Sequence, residues 1–335
     1  MIRGTVIAAN LLVAGLAALL FGCAKPAPPV LNFSIASAED QQSMEKVWRP
    51  LLDDLNKQTG LNVQPHYAGN YTAQIEAMKF NQVQLGWFPA LSTLQAVRRA
   101  DGEVLGRVIG SNGQGEVYAS VLLVKKGSGI TLDDVLKCGK KYSFGIGDAQ
   151  STSGTLAPMA YVFIPHNIDP QQCFTVVRQS SHQANLFAVA NGVLDVVTNN
   201  TIGLVFAKRE NPAIADKVQV IWTSPPLPES SIVVRKDLDP AIKAKLKAFF
   251  FKYGTGTGPE ADHERQVMKG LSYGGFGAAD ISYLDPVAQM DASNTLALAR
   301  KSGDAAKIAD AQKAYDAQVA EIAAHSASNG GAAAQ

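Results

Sequence analysis

The sequence predicts an α/β protein of two similar lobes joined by two hinge crossovers. Three observations carry this. From Leu31 onward apolar strand-like runs alternate with amphipathic helical stretches, the pattern of a parallel sheet with right-handed crossovers. The helix, tight turn and strand of Ala77 to Phe88 are echoed by Phe187 to Asn199, with Gln84 and Asp195 in matching places. Two further stretches are placed to carry the chain between lobes: the β-rich Tyr118 to Lys126, and the three-proline segment Thr223 to Ser231.

In order, Leu31 to Ala36 reads as a strand. Gln42 to Thr59 follows as a helix with Met44, Val47, Leu51, Leu52 and Leu55 on one face and Gly60 as its stop. Leu61 to Tyr67 is a strand, Tyr71 to Phe80 a helix, and Val83 to Phe88 a strand that Pro89 ends. In such a sheet ligands bind beyond the carboxyl ends of the strands. Ser37, Ala38, Tyr71, Trp87, Phe88 and Ser92 fall at such ends; Trp87 reads as core, and Tyr71 and Phe88 as core or ligand contact. Beyond the outgoing hinge, Phe174 to Val177 and Leu194 to Thr198 read as strands and His182 to Asn191 as a helix. Asp195 begins its strand, far from any carboxyl-end crevice, and reads as structural. Val218 to Trp222 and Ile232 to Arg235 are strands, Asp239 to Tyr253 and Asp262 to Leu271 helices, and the Ala-rich chain from Pro286 is helical, with a loose tail expected over Ser326 to Gln335. The expected division is 31–124 with 223–300 as the first lobe, 125–222 as the second, and 301–335 as a C-terminal helix and tail.

The densest chemistry lies in YSFGIGDAQSTSG, Tyr142 to Gly154. A short apolar run breaks at Gly147-Asp148, and Ser151, Thr152 and Ser153 then crowd a helix start. The first backbone amides of a helix lack partners and carry the positive end of its dipole, so hydroxyls there suit an anion. Ordinary capping accounts for the same residues. His182, after Ser180-Ser181, stands at another helix start, either as a donor to an anion or as a cap.

At the N-terminus, Arg3 precedes an uncharged, mostly apolar stretch closed by Leu20-Phe21-Gly22-Cys23. This resembles a bacterial lipoprotein signal, with 1–22 removed, Cys23 lipidated and 23–30 a tether to the membrane; a plain secretory signal or a membrane anchor is the alternative. Export leaves Cys138 and Cys173 as a pair for a disulfide around the hydroxyl cluster. With 30 Lys+Arg against 29 Asp+Glu the chain offers no basic excess for nucleic acid. Five histidines without metal-ligand spacing, and no cysteine left over, argue against a secreted hydrolase and call for no cofactor.

The blocks FNQVQLGWFPALS, SFGIGDAQSTSG, SHQANLFAVANG, DVVTNNT and WTSPPLPESSIVVRKDL, in this order from about Leu31 to Leu284, resemble the phosphonate and phosphite solute-binding proteins of bacterial ABC transporters. The resemblance implies a two-lobed periplasmic-binding-protein fold (type II like), a membrane permease as partner, and P–O oxygens held by Ser151, Thr152, Ser153, Tyr71 and His182. On that basis the hydroxyl cluster reads as an anion site. Relatives that bind aminoalkylphosphonates carry an aromatic hydroxyl in place of Phe88 and acids in place of Ile202 and Ser230. Their absence predicts a site that rejects aminoethylphosphonate and takes phosphite, hypophosphite or methylphosphonate, with Phe88 facing P–H or P–CH3. Alternatives are a general alkylphosphonate or aminoethylphosphonate binder, or a sensor of the same ligands that acts by docking.

Overall fold

The structure, a computed structural model, describes residues 29–111 and 117–332. The expected leader over 1–22, Cys23 and most of the tether lie outside the described residues.

The chain forms β1 (Val30–Ile35), α1 (Gln41–Thr59), β2 (Asn62–Tyr67), α2 (Tyr71–Lys79), β3 (Leu85–Phe88), α3 (Ala90–Arg99), β4 (Gly102–Gly110), β5 (Val117–Tyr118) and β6 (Ser120–Lys125). Then come α4 (Leu132–Leu136), β7 (Phe144–Ile146), two wide π-type turns (Thr152–Leu156 and Met159–Phe163), α5 (Pro170–Cys173), β8 (Val177–Gln179), α6 (His182–Ala190), β9 (Val196–Asn200), α7 (Thr201–Glu210) and α8 (Pro212–Ala215). Strands β10 (Val218–Thr223), β11 (Leu227–Pro228) and β12 (Ser231–Arg235) precede α9 (Pro240–Lys252), α10 (Pro259–Leu271), β13 (Tyr273–Gly277), α11 (Asp285–Ser302) and α12 (Ala305–Ala332).

Two sheets follow one plan. The first has the order β13-β4-β12-β3-β1-β2, the second β10-β6-β9-β7-β8. In each, three parallel strands (β2, β1, β3 and β8, β7, β9) meet antiparallel ones, β12, β4 and β13 in the first sheet and β6 and β10 in the second. The all-parallel expectation is therefore corrected. The strands that have just crossed between lobes, β6 and β12, enter from the opposite side and run antiparallel to β9 and β3. The internal echo holds atom by atom: Gln84 Oε1 accepts from Asn32 N (2.9 Å), and Asp195 Oδ2 accepts from Ser143 N (2.8 Å) and Ser143 Oγ (2.7 Å). Each side chain pins the start of the neighbouring parallel strand, a structural role for Asp195.

Three boundaries differ from the sequence reading. The run YASVLLVKK divides: β5 pairs with β11 as a two-stranded hinge ribbon, while β6 belongs to the second sheet, so the crossover precedes the boundary drawn at 124. Strand β8 begins only at Val177, because Phe174 turns inward and stacks on Phe144 with centroids 4.5 Å apart. Instead of a loose tail from Ser326, α12 continues to Ala332, through alanine-rich sequence of high helix propensity.

Each lobe has its own core. Trp48, Phe33, Leu51, Leu55, Phe250 and Tyr253 pack beneath the first sheet, and Phe144, Phe163, Phe174, Leu122 and Val196 beneath the second. Cys138 and Cys173 lie side by side in the second lobe, with Cα atoms 4.7 Å apart. Helix α11 spans both lobes: Val287, Ala288 and Met290 pack with Leu91 and Leu94 of α3 and with Leu156 and Ala157 of the wide-turned segment, and Asn294 Nδ2 donates to Leu156 O.

Candidate ligand-binding site

Between the lobes, where the parallel strands end, lie two adjoining cavities of about 430 and 70 Å³. They share a wall of Glu39, Met44, Tyr71, Ser151 and His182. The cleft thus forms at the carboxyl ends of the strands, as the alternating pattern requires.

The shared wall holds the hydroxyl cluster. Ser151 caps the segment that begins at Thr152, its Oγ accepting from Gly154 N at 2.9 Å. The first turn is widened, with Leu156 N donating to Ser151 O (3.1 Å) across five residues; such turns recur at binding sites. His182 Nε2 lies 3.5 Å from Ser151 Oγ and 3.4 Å from Ser153 Oγ. The Tyr71 phenol lies beside Ser151, and that of Tyr118, from the hinge ribbon, beside Ser153 and Thr152. Burial pushes both phenols well above their ordinary range and drives His182 down to about 4, so near neutral pH all three are uncharged. Hydroxyl, phenol and imidazole donors thus gather on one wall, which is what an oxyanion requires, with Glu39 on the same wall.

Two glycines make this geometry possible. Gly147 N donates to Gly154 O (2.9 Å), and a Cβ on Gly147 would lie 2.6 Å from Gly154 Cα. The spacing in GDAQSTSG therefore brings strand end and helix start into direct backbone contact, with Asp148 closing the turn by accepting from Gln150 N. Behind it, Asn185 Nδ2 donates to Ile146 O, and Asn199 Nδ2 to His182 O.

Of the predicted contacts, Tyr71, Ser151, Ser153 and His182 come together, and two others are placed differently. Thr152 is fully buried and lines neither cavity; its Oγ1 accepts from Leu91 N of α3 (2.9 Å), tying the second lobe to the first. Phe88 points away from the cleft, into a core of Ile75, Met78, Val83, Ala96 and Val233. The strand's alternation decides this: Leu85 and Trp87 share one face, and Phe88 takes the other. Trp87, read as core, is the residue that reaches the smaller cavity, with its Nε1 donor unpartnered.

The largest addition to the predicted site concerns charge. Ile202 and Ser230 do line the smaller cavity, but so do two carboxyl groups, Glu39 and Glu229. Glu229, beside Ser230, is 6% exposed. Burial pushes Glu229 up to about 7 and Glu39 up to about 8, Asp40 adding to the second shift. Among the described residues neither has a salt-bridge partner.

Residues 33–284 match the family of ABC transporter, phosphonate, periplasmic substrate-binding proteins. The chain is 38% identical over 261 residues to the phosphonates-binding periplasmic protein of Escherichia coli (strain K12), covering 78% of this chain and 75% of that one. The chain belongs to this family. It superposes on a binding protein component of an ABC phosphonate transporter from Pseudomonas aeruginosa with TM-score 0.84 and 35% identity, over 90% of this chain and 99% of that one. It is also 26% identical over 220 residues to a probable ABC transporter phosphite binding protein of Prochlorococcus marinus (strain MIT 9301), covering 63% of this chain and 72% of that one. This phosphonate-binding protein is thus the periplasmic substrate-binding component of an ABC importer, a transport component and not an enzyme.

Sequence reasoning missed Trp87, Tyr118, Glu39 and Glu229 in this phosphonate-binding protein. Strand alternation was a usable signal for Trp87. An acid inside the proline-rich hinge was one for Glu229, since a solvated loop acid needs no such setting.

The buried acids fix a pH dependence. A carboxyl raised in the folded state keeps a proton that the unfolded chain releases above about 4.5, so its contribution to stability is lost as pH rises toward 7 to 8. His182 acts oppositely but only between about 4 and 6.5. Thermal melts of the ligand-free protein should therefore show a lower Tm at pH 8.5 than at 6.5, by a few degrees. The double variant Glu39→Gln, Glu229→Gln should flatten this slope; an unchanged slope would remove these two groups as its cause.

Proposed function

We propose that this protein captures a phosphonate bearing a cationic group, an aminoalkylphosphonate, between its lobes for delivery to the membrane permease. The phosphonyl oxygens take hydrogen bonds from Ser151, Ser153, His182 and Tyr71, with the Trp87 and Tyr118 donors in reach of the same cavity. The ammonium pairs with Glu229, and Glu39 lies on the wall between the two cavities.

The observation that carries this is a pair of carboxyl groups, Glu229 buried and Glu39 half-buried, with no salt-bridge partner among the described residues. An acid withdrawn from water without a partner is costly, and a ligand cation supplies the partner. This reverses the preference expected from Ile202 and Ser230, because Glu229 offers the carboxyl one position before Ser230. The small volume of the inner cavity, about 70 Å³, favours the second reading, phosphite, hypophosphite or methylphosphonate bound beside neutral acids. Calorimetric titration with 2-aminoethylphosphonate, methylphosphonate, phosphite and phosphate separates the two. We expect 2-aminoethylphosphonate to bind at least about a hundredfold more tightly than methylphosphonate; the opposite order refutes the assignment.

In the periplasm we further propose that Cys138 and Cys173 are bridged and Cys23 carries a lipid anchor. Thiol titration of denatured, unreduced protein beginning after Cys23 should find no free thiol; two per chain would contradict the bridge. It closes a loop of 35 residues, worth roughly 3 to 4 kcal/mol by chain entropy.

A further inference from the structure

We propose that helix α7 is the closing element of the cleft and that its last turn is a latch: Arg209 and Glu210 grip Lys269 and Lys46 of the first lobe, hold the lobes together over a bound phosphonate and set how long it stays. This goes beyond the ammonium assignment and holds whichever phosphonate enters.

The helix is rooted in the second lobe. It starts at the end of β9, where Asn200 caps it by accepting from Gly203 N at 2.8 Å, and Gly203 is its one buried residue. Ile202, Phe206 and Glu210 follow at intervals of four and so share one face. Ile202 and Phe206 line the inner cavity, together with Met44, Val47 and Leu271 of the first lobe.

One turn further along, the helix reaches the first lobe directly. Glu210 Oε2 accepts from Lys46 Nζ of α1 at 2.6 Å, and Arg209 Nη1 donates to the Lys269 carbonyl of α10 at 3.3 Å. Arg209 Nε also donates to Glu210 Oε1 at 3.0 Å, and its guanidinium lies over the Phe206 ring, 4.6 Å from the centroid. The cavity wall and the rim contacts are therefore one connected unit. Beside it, Gln183 Oε1 accepts from Asp40 N at 2.9 Å, joining the neighbour of His182 to the neighbour of Glu39. The bonds to Lys46, to Lys269 and to Asp40 each run from one lobe to the other, so opening the cleft breaks all of them.

Exposure sets the size of the effect. Lys46 and Glu210 keep 68% and 41% of their side-chain surface in water, so their attraction is screened by salt and modest, as for other exposed pairs. A modest latch suits a carrier, which must also let its ligand go at the permease.

The test is the dissociation rate of 2-aminoethylphosphonate and of methylphosphonate, followed by stopped flow for whichever of them binds. Lys46→Gln and Glu210→Gln should each raise it about two- to fivefold while the association rate stays native, because the latch forms only after the lobes have met. Lys46→Glu, which sets two like charges together, should raise it further, and adding Glu210→Lys should bring it back toward the native value. Lys208→Gln is the control. Its pair with Asp216 starts from the same helix and is also 2.6 Å long, but it lies within the second lobe, so the native rate should persist. Native dissociation rates in both Lys46→Gln and Glu210→Gln, or an equal rise in Lys208→Gln, overturn the latch. The aminoalkylphosphonate assignment is read separately, from the order of the two affinities in the unaltered protein, so either can fail alone. All the substituted side chains are at the surface, and a native Tm shows that a faster release comes from the rim and not from a weakened fold.

Discussion

Glu229→Gln should lower affinity for 2-aminoethylphosphonate by at least about a hundredfold, while methylphosphonate binding stays within a few fold of native or improves. The substitution keeps the shape of a buried side chain that lines the inner cavity and removes only its ability to carry charge. An ammonium then enters a low-dielectric site without the carboxylate it pairs with, Glu39 on the shared wall being the one that remains, a loss of roughly 3 kcal/mol or more. For a ligand without an ammonium the same change removes a potential like charge, so its affinity does not fall. The pH profile supplies an independent sign. Because burial pushes Glu229 up to about 7, the native protein must release a proton to pair with the ammonium, and the affinity ratio of the two ligands should climb by up to about tenfold per unit between pH 5.5 and 7. The two ligands differ in their own phosphonyl ionisation, so the slope due to Glu229 is the difference between the native protein and Glu229→Gln. In Glu229→Gln the ratio should follow only the ionisation of the ligands. Equal losses for both ligands would mean that Glu229 supports the cavity wall and contacts no cation.

Gly154→Ala is the second large effect, and it acts on every ligand alike. A methyl at this position would lie 2.8 Å from Gly147 Cα, 2.8 Å from Ser151 Oγ and 3.2 Å from the His182 ring. The first neighbour is backbone and cannot rotate away. The strand end and the helix start must separate, which moves Ser151 and Ser153 off their common focus and costs roughly 1 to 3 kcal/mol of stability as well. Affinity for any phosphonate should drop by about tenfold to a hundredfold, with a lower Tm. Gly270→Ala is the control: nothing lies within 4 Å of a Cβ there, and the site is helical, so stability should hold or rise slightly. Native affinity in Gly154→Ala would show that the close backbone approach is not what positions the hydroxyls.

The lobes, the hinge segments and the hydroxyl anchor were legible in the sequence because each has a local signature. Alternation of strands and helices gives the sheets, and GDAQSTSG combines a break, a cap and small residues within eight positions. The matched places of Gln84 and Asp195 were also visible, and both side chains turn out to fasten equivalent strand starts. Less legible was everything decided by which face a residue takes or by what the other lobe brings. Phe88 and Trp87 are neighbours in sequence, and only the pairing of β3 with β1 and β12 settles which of them meets the cleft. Thr152 looked like its flanking serines until α3 of the other lobe occupied its hydroxyl. Glu39 and Glu229 are separated by 190 positions and line one cavity only once the chain has returned from the second lobe to the first.

The measurement that bears most directly on this assignment is a crystal structure of the protein with 2-aminoethylphosphonate. Phosphorus should sit with its oxygens within about 3 Å of Ser151 Oγ, Ser153 Oγ and His182 Nε2, and the nitrogen should lie in the inner cavity within ion-pair distance of Glu229. A ligand with its nitrogen directed to solvent, or with its phosphonyl group held away from the two serines, would contradict it.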